Sequence, residues 1–205
     1  LERLAESTGW NARTGADAIT EALREAQRRI QEYAAGRRRG FRSRAPGTTV
    51  VVALLVEESG EAAWLLANLG DSRIYRVHDG ELEQVTVDHS LVQELVDAGR
   101  IQPEEVAHHP ERHVITRALG TDEVVDVDTL TTALEPGDLY LLCSDGLTTM
   151  LDDDEILGLV ADAQGDLDAA AEALVAAANR AGGEDNITVV LVAIEAGDRE
   201  PAAAP

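Results

Sequence analysis

The chain has a single cysteine, few basic residues for its length and no long apolar segment, and each scarcity excludes a class of protein. Cys143 alone supports neither a disulfide framework nor a zinc site made only of cysteines, and it is compatible with a reducing compartment. No apolar run approaches the roughly 18 residues that a membrane-spanning helix needs. The first residues contain no apolar core of the kind that a secretory signal has.

The charge balance is strongly acidic. Among 205 residues there are 39 acidic and 17 basic side chains, which gives a net charge of −22. Such a chain argues against nucleic acids and anionic membranes as partners, because both select basic surfaces. Leu, Ile and Val are abundant, so the composition differs from that of a disordered acidic tail. We expect one domain over residues 1–196 and a disordered Ala- and Pro-rich tail over 197–205.

The order of the predicted elements indicates an α+β fold. The spacing of Thr14 and Asp17 is that of a capping box, and an apolar stripe continues the helix to Gly36. Apolar runs separated by turn signals predict a four-stranded antiparallel meander between Thr48 and Thr86. Further strands are predicted at 124–131, 139–143 and 186–194, and helices at 154–160 and 167–181. Because strands and helices are grouped rather than alternating, we expect two stacked antiparallel sheets flanked by helices.

Three aspartates occupy similar places, where a strand meets a Gly-containing turn: Asp71, Asp145 and Asp185. Two carboxylates about 4 Å apart repel by roughly 4 kcal/mol at an effective dielectric constant of 20, so a cluster of them needs protons or bridging cations. Oxygen ligands without Cys or His favour hard ions such as Mg²⁺ or Mn²⁺. The alternative for each aspartate is a local role in the turn, since Asp beside Gly commonly satisfies backbone groups there.

Several short motifs follow one another along almost the whole chain. They are Gly47-Thr48-Thr49, Gly70-Asp71-Ser72-Arg73, Asp79-Gly80, Asp88-His89-Ser90, Thr116-Arg117-Ala118-Leu119-Gly120, Ser144-Asp145-Gly146-Leu147 and Glu184-Asp185-Asn186-Ile187-Thr188. In this order and spacing the motifs resemble those of the metal-dependent PP2C-type (PPM) serine/threonine protein phosphatases in their bacterial form.

The resemblance implies an αββα β-sandwich that hydrolyses phosphoserine and phosphothreonine in proteins by means of a metal-activated water. Asp145 and Asp185 would bind a centre of two Mn²⁺ or Mg²⁺ ions, and Asp71 would help to hold a third. Residues 88–120 would form a flap beside the catalytic cleft. Phosphorylated proteins would be the substrates and a Ser/Thr protein kinase the functional counterpart, in bacterial signalling by a cytoplasmic monomer.

The resemblance also implies supporting roles around these ligands. The residues that would support the metal site are Asn186, Ser144, Gly146 and His113. Those that would have a structural role near the cleft are Gly47, Thr48 and Thr49. His113 stands where bacterial relatives usually carry Asn or Ser near the third metal, so it would alter that site. An ordinary surface histidine is the alternative.

Two family segments have no counterpart in this sequence. They are an Arg-x-x-Asn-Glu-Asp-like strand and an Asp-Gly-Met-Gly-Gly-like turn, which would supply a phosphate-contacting arginine and an aspartate that bridges the metals. Residue 1 is Leu, and we therefore expect a domain that is incomplete at its amino end. An inactive or impaired fragment that acts as a binding or regulatory module is the alternative. The basic segment 37–44 would either recruit a phosphorylated substrate or form a solvated loop.

Overall fold

The structure is a computed structural model that describes residues 9–37, 46–121 and 124–195. The predicted tail over 197–205 and the basic segment beyond Arg37 lie outside the described residues. The chain divides into two units. Unit 1 comprises the described residues of Leu1–Ile74 and Val85–Ala133, and unit 2 those of Tyr75–Gln84 and Leu134–Pro205. Within these residues, no helix combines the length and the apolar character that crossing a membrane demands.

Unit 1 begins with the long helix α1, Ala12–Arg37. Asn11 caps it, because the Asn11 Oδ1 atom accepts a hydrogen bond from the Thr14 amide at 2.9 Å and the Asn11 amide donates to Thr14 Oγ1 at 3.1 Å. The capping pair is therefore Asn11 with Thr14, and the predicted pair of Thr14 with Asp17 was one turn too late. One helical face carries Ile19 and Leu23, which are buried against the sheet.

The sheet of unit 1 has the strand order β1-β2-β5. Its strands are β1 Val50–Glu58, β2 Glu61–Leu69 and β5 Asp128–Ala133, and all pairings are antiparallel. The segment 88–120, which we predicted as a flap, precedes β5 in the chain and contains helix α2 at Leu91–Asp97 and a 3-10 helix at Pro103–His108. Ser90 caps α2 by accepting a hydrogen bond from the Gln93 amide at 3.2 Å.

The sheet of unit 2 has the strand order β4-β3-β6-β7. Its strands are β3 Arg73–His78, of which the first two residues are assigned to unit 1, β4 Glu81–Gln84, β6 Leu139–Cys143 and β7 Val189–Ala193. Its helices are α3 Asp145–Thr148, α4 Asp153–Asp162 and α5 Leu167–Ala181. Leu141 and Cys143 of β6 form a buried cluster with helix residues that include Leu147, Ile156 and Leu174. Burial of such side chains contributes about 1.5–3 kcal/mol each to folding.

The predicted four-stranded meander is wrong in one respect. β1 and β2 form a hairpin in one sheet, whereas β3 and β4 form a hairpin in the other. The Gly70-Asp71-Ser72 turn between β2 and β3 therefore takes the chain to a different sheet. Strand β5 also begins at Asp128 rather than at Val124, because its pairing with β2 extends only from Asp128 opposite Asn68 to Ala133 opposite Ala63.

Candidate metal centre

The ends of β6 and β7 place two of the predicted ligands in neighbouring loops of unit 2. These strands pair antiparallel with Cys143 opposite Val189, so the residues after β6 lie beside those before β7. Asp145 follows this end of β6 after one residue, Ser144, and Asp185 lies in the loop that leads into β7. The pairing of the two strands thus accounts for the approach of two segments that are 40 residues apart in the sequence.

Ser144 joins the two loops through three hydrogen bonds. Its amide donates to the Thr188 carbonyl oxygen at 3.1 Å, and its hydroxyl donates to the Asn186 carbonyl oxygen at 2.9 Å. The same hydroxyl accepts a hydrogen bond from the Thr188 amide at 3.0 Å. Ser144 is also the N-cap residue of α3, but its side chain makes no capping bond because the neighbouring loop uses it.

Gly146 allows the closest approach of the two loops. A Cβ atom added there would lie 2.5 Å from the Asn186 carbonyl oxygen and 3.0 Å from its carbonyl carbon. Real Cβ contacts of this length do not occur, so every side chain larger than hydrogen would push the Asp185–Asn186 backbone away. The glycine of the Ser-Asp-Gly motif is thus required by the neighbouring loop.

The two aspartates differ in their surroundings. Asp145 is half-buried at the first position of the one-turn helix α3. Asp185 is exposed, and its Oδ1 atom accepts a hydrogen bond from the Asn186 amide at 2.7 Å, which orients the carboxylate. The loops offer carboxylate oxygens and contain no Cys or His. Such a donor set fits a hard divalent cation better than zinc or copper.

A surface depression of about 440 Å³ lies beside Asp185 in unit 2. Val175 and Asn179 of α5 form one side, and residues 183–187 form the other. Asn179 also donates a hydrogen bond from Nδ2 to the Val175 carbonyl oxygen at 2.8 Å. Neither Val175 nor Asn179 was predicted as a site residue, because the sequence of α5 shows only the pattern of a helix that packs on a core.

Asp71 belongs to unit 1, in the turn after β2. Several contacts fix the two residues that follow it. Ser72 Oγ is hydrogen-bonded to Thr49 Oγ1 at 2.9 Å. The Arg73 guanidinium makes a two-pronged ion pair with Asp88, with the Nη2–Oδ2 distance at 2.7 Å and the Nε–Oδ1 distance at 3.0 Å.

The Gly47-Thr48-Thr49 segment leads into β1 and packs on other loops of unit 1. Thr48 and Leu119 exchange two backbone hydrogen bonds, at 3.0 and 2.8 Å. A Cβ atom on Gly47 would lie 2.8 Å from Thr121 Cγ2. His113 lies in an exposed turn after the 3-10 helix of the same unit. Its surroundings are compatible with both of the roles considered from the sequence.

A second group of charged side chains in unit 2 was not found from the sequence. Within the part of the chain that the structure describes, it is the one set of three potential metal ligands whose donor atoms lie within 4.8 Å of one another: His78, Glu135 and Asp138. His78 Nδ1 lies 2.7 Å from Asp138 Oδ1. A signal did exist in the sequence, because Arg76 and His78 are two apart on β3 and share one face of the sheet.

Arg76 makes this cluster an ion-pair network. Its Nε and Nη2 atoms donate to the two carboxylate oxygens of Asp138 at 2.8 and 3.0 Å, and Nη2 lies 3.2 Å from Glu135 Oε2. Burial raises the pKa of Asp138, but the hydrogen bonds from Arg76 and His78 outweigh it and leave the pKa below its ordinary value. The same bond to Asp138 raises the pKa of Arg76. A guanidinium already balances the buried carboxylate, so a cation is not needed here.

Comparison with known sequences identifies the family. The protein phosphatase 2C family model matches residues 5–187. The serine/threonine phosphatase stp of Listeria welshimeri is 41% identical over 146 residues, 71% of this chain and 56% of that protein. Protein phosphatase PhpP of Streptococcus pneumoniae is 42% identical over 159 residues, 77% of this chain and 62% of that protein. The chain thus spans less than two thirds of the length of these two relatives.

Solved structures agree with the sequence comparison. The serine/threonine phosphatase PstP/Ppp of Mycobacterium tuberculosis superimposes with a TM-score of 0.83 at 36% identity, covering 96% of this chain and 78% of that one. Stp1 of Staphylococcus aureus gives 0.81 at 33% identity, covering 95% and 74%. The catalytic domain of PstP in complex with two manganese ions gives 0.74 at 34% identity, covering 91% and 73%.

The fold is that of the bacterial serine/threonine phosphatases, which confirms the predicted class of two antiparallel sheets with helices. The chain belongs to the protein phosphatase 2C family, as its motifs indicated.

Proposed function

We propose that this protein catalyses the metal-dependent hydrolysis of phosphoserine and phosphothreonine in other proteins. Family membership supports this reaction class. The observation that carries the proposal is the attachment of the Asp145 and Asp185 loops to each other through Ser144. Two acidic side chains held in adjacent loops by a shared hydroxyl are what a carboxylate-bound cation site needs.

In this proposal Asp145 and Asp185 hold two divalent cations, Mn²⁺ or Mg²⁺, and Asp71 contributes to a third. The structure of PstP with two manganese ions supports the choice of ion. When bound, such ions lower the pKa of a coordinated water and neutralise charge on phosphoryl oxygens.

The protein's own groups hold and orient the ligands. The Asn186 amide fixes the Asp185 carboxylate, Ser144 ties the two loops together, and Gly146 leaves room for the neighbouring backbone. We place His113 near the third ion, and Gly47, Thr48 and Thr49 in the structural support of the Asp71 turn. Positioning groups of this kind typically change metal affinity or activity 10–100-fold when they are removed.

Because the protein is strongly acidic, bound cations would also help a negatively charged substrate to approach. A chain with a net charge of −22 repels a phosphorylated peptide unless bound cations reverse the sign of the local potential. We propose phosphoproteins as substrates and a Ser/Thr kinase as the counterpart. We also propose that the protein acts as a monomer in the cytoplasm, and its single, buried Cys143 is compatible with a reducing compartment.

The test is hydrolysis of p-nitrophenyl phosphate and of a phosphothreonine peptide by the purified protein, with and without Mn²⁺. Activity that depends on Mn²⁺ is expected to fall by more than about 100-fold in Asp145→Asn and Asp185→Asn, because each substitution removes a ligand charge. Asp154→Asn is the control with the same change of charge, since Asp154 is an exposed first-turn residue of α4. Unchanged turnover in Asp145→Asn would refute the proposal, and binding of the peptide without turnover would support a binding module instead.

A further inference from the structure

His89 lies in the loop between β4 and α2 of the chain, in the Asp-His-Ser motif whose role the proposed function leaves open. Its side chain is only 4% exposed. Buried polar side chains are retained where their hydrogen bonds are satisfied, and an imidazole in a loop is an unusual choice where a leucine would fill the space. The partners of its two ring nitrogens therefore indicate what the residue does.

The hydrogen bonds of the ring define its tautomer. His89 Nδ1 accepts a hydrogen bond from the Gly70 amide at 3.1 Å, so this nitrogen carries no proton. The ring proton then lies on Nε2, which donates to Asp128 Oδ2 at 3.0 Å. Arg117 holds the same carboxylate by donating from Nη1 to Oδ1 at 3.2 Å. The ring is thus oriented from the Asp128 side and presents an acceptor to Gly70.

A second bond makes the attachment of Gly70 reciprocal. The His89 amide donates to the Gly70 carbonyl oxygen at 2.9 Å, so both backbone polar groups of Gly70 bond to the same residue. The opposite side of Gly70 is closed, because a Cβ atom there would lie 2.3 Å from Thr49 Cγ2. Gly70 therefore has one position between Thr49 and His89, and Asp71 is the next residue.

His89 also joins the beginning of the segment 88–120 to residues near its end. Its carbonyl oxygen accepts a hydrogen bond from the Thr116 amide at 2.8 Å, and the following residue, Ser90, forms an isolated bridge with Ile115. Both ends of the segment thus meet at the residue that fixes Gly70. All these groups belong to unit 1.

We propose that His89 is a positioning residue for Asp71. Its unprotonated Nδ1 anchors the Gly70 amide and so sets the place from which Asp71 presents its carboxylate to a divalent cation. This inference rests on the proposed function, because it assumes that Asp71 serves a cation. It predicts that the acceptor at Nδ1 matters and that the donor at Nε2 matters less.

Three substitutions separate the two nitrogens. In His89→Asn the amide oxygen can occupy the place of Nδ1 and accept from Gly70. In His89→Gln the longer amide reaches the place of Nε2 and leaves Gly70 without its acceptor. His89→Ala removes both. His108→Gln serves as the control, since His108 is an exposed histidine of the 3-10 helix.

The first measurement is Mn²⁺ binding by calorimetry, without substrate. Asp71→Asn is expected to abolish or weaken one Mn²⁺ site and to leave the sites that need Asp145. His89→Gln and His89→Ala should weaken that same site roughly 10–100-fold, with His89→Asn and His108→Gln close to wild type. In turnover of p-nitrophenyl phosphate, the concentration of Mn²⁺ at half-maximal rate should rise in His89→Gln while KM for the substrate stays unchanged.

The second measurement needs no variant. The ¹⁵N shifts of the His89 ring in the metal-free protein should show a proton on Nε2, and a proton on Nδ1 would overturn the proposal. Equal Mn²⁺ binding in His89→Gln and wild type would overturn it too, as would an Asp71→Asn protein that binds Mn²⁺ normally. None of these three results affects the proposed hydrolysis, which stands or falls with Asp145; the third result would remove only the part that Asp71 has in a third cation site.

Discussion

The backbone of Gly146 lies so close to the Asn186 carbonyl group that no Cβ atom fits between them, and this close approach occurs where the Asp145 and Asp185 loops meet. A Cβ atom on residue 146 would lie 2.5 Å from the Asn186 carbonyl oxygen, a backbone atom that cannot rotate away. The geometry of the candidate metal centre therefore depends on a residue that has no side chain.

Gly146→Ala is expected to weaken Mn²⁺ binding by roughly 10–100-fold, because the added methyl group displaces the Asp185–Asn186 backbone. Gly158→Ala is the matched control: Gly158 also lies in a helix, and nothing is within 4 Å of its Cβ position. That control should raise stability by about 0.5–1 kcal/mol through helix propensity. Calorimetric titration and thermal unfolding measure both effects, and normal Mn²⁺ affinity in Gly146→Ala would contradict the assigned role.

Ser144→Ala should lower both stability and metal affinity. The substitution removes the hydroxyl that donates to the Asn186 carbonyl oxygen and accepts from the Thr188 amide. Two lost bonds correspond to about 1–3 kcal/mol in urea unfolding. Ser144→Thr keeps the hydroxyl in the extended backbone that the residue adopts and should restore most of both quantities. Equal Mn²⁺ affinities in the two variants would show that the hydroxyl does not position the loops.

The sequence predicted those helices and strands whose ends are determined by residues nearby in the sequence. Helix α5, Leu167–Ala181, was predicted to the residue, because Gly182 and Gly183 end it. Strand β6, Leu139–Cys143, was predicted equally well from its short apolar run. The assignment of β2 and β3 to different sheets could not be predicted in this way, because the Gly70–Ser72 turn does not specify which strand the chain pairs with next.

The candidate site likewise has parts that the sequence predicted and parts that it did not. The spacing of the motifs selected Asp145 and Asp185, and their adjacency follows from the pairing of β6 with β7. The bond between His89 and Gly70 joins residues 19 apart in the sequence, through a single ring nitrogen. Neither a periodicity nor a local motif predicts this hydrogen bond, because it depends on how the loop that contains His89 packs on the turn that contains Gly70.

Asn11→Ala tests the corrected start of α1. Asn11 accepts from the Thr14 amide, so its removal should cost about 1 kcal/mol, whereas Asn11→Ser should cost much less. Asp17, which the sequence pattern placed in the capping box, is exposed inside the helix, and Asp17→Asn should change stability by less than about 0.5 kcal/mol. A larger loss in Asp17→Asn than in Asn11→Ala in urea unfolding would restore the original assignment.

The buried carboxylate of Asp138 predicts a pH-dependent contribution to stability. Arg76 and His78 bond to it, Glu135 lies beside Arg76, and the Tyr140 hydroxyl is 3.5 Å away. Its pKa is lower in the folded protein than the value of about 3.9 expected when unfolded. The ionised form therefore stabilises the fold fully above that value, and the contribution is lost as the pH falls through the folded pKa.

Asp138→Asn is expected to cost about 3 kcal/mol at pH 7, because it leaves the Arg76 guanidinium without its main counter-charge. Asparagine has the shape of a protonated aspartate, so the difference from wild type should narrow as the pH falls below about 4. Glu135→Gln, with the same change of charge on a side chain that is 52% exposed, should cost at most about 1 kcal/mol at any pH.

Urea unfolding of the three proteins from pH 7 to pH 3 measures these differences. The three proteins have the same other acidic side chains, so the effect of protonating those side chains on the free energy of unfolding cancels when the proteins are compared. A cost of Asp138→Asn that stays constant down to pH 3 would mean that the ionised carboxylate is not what holds β3 to the residues before β6.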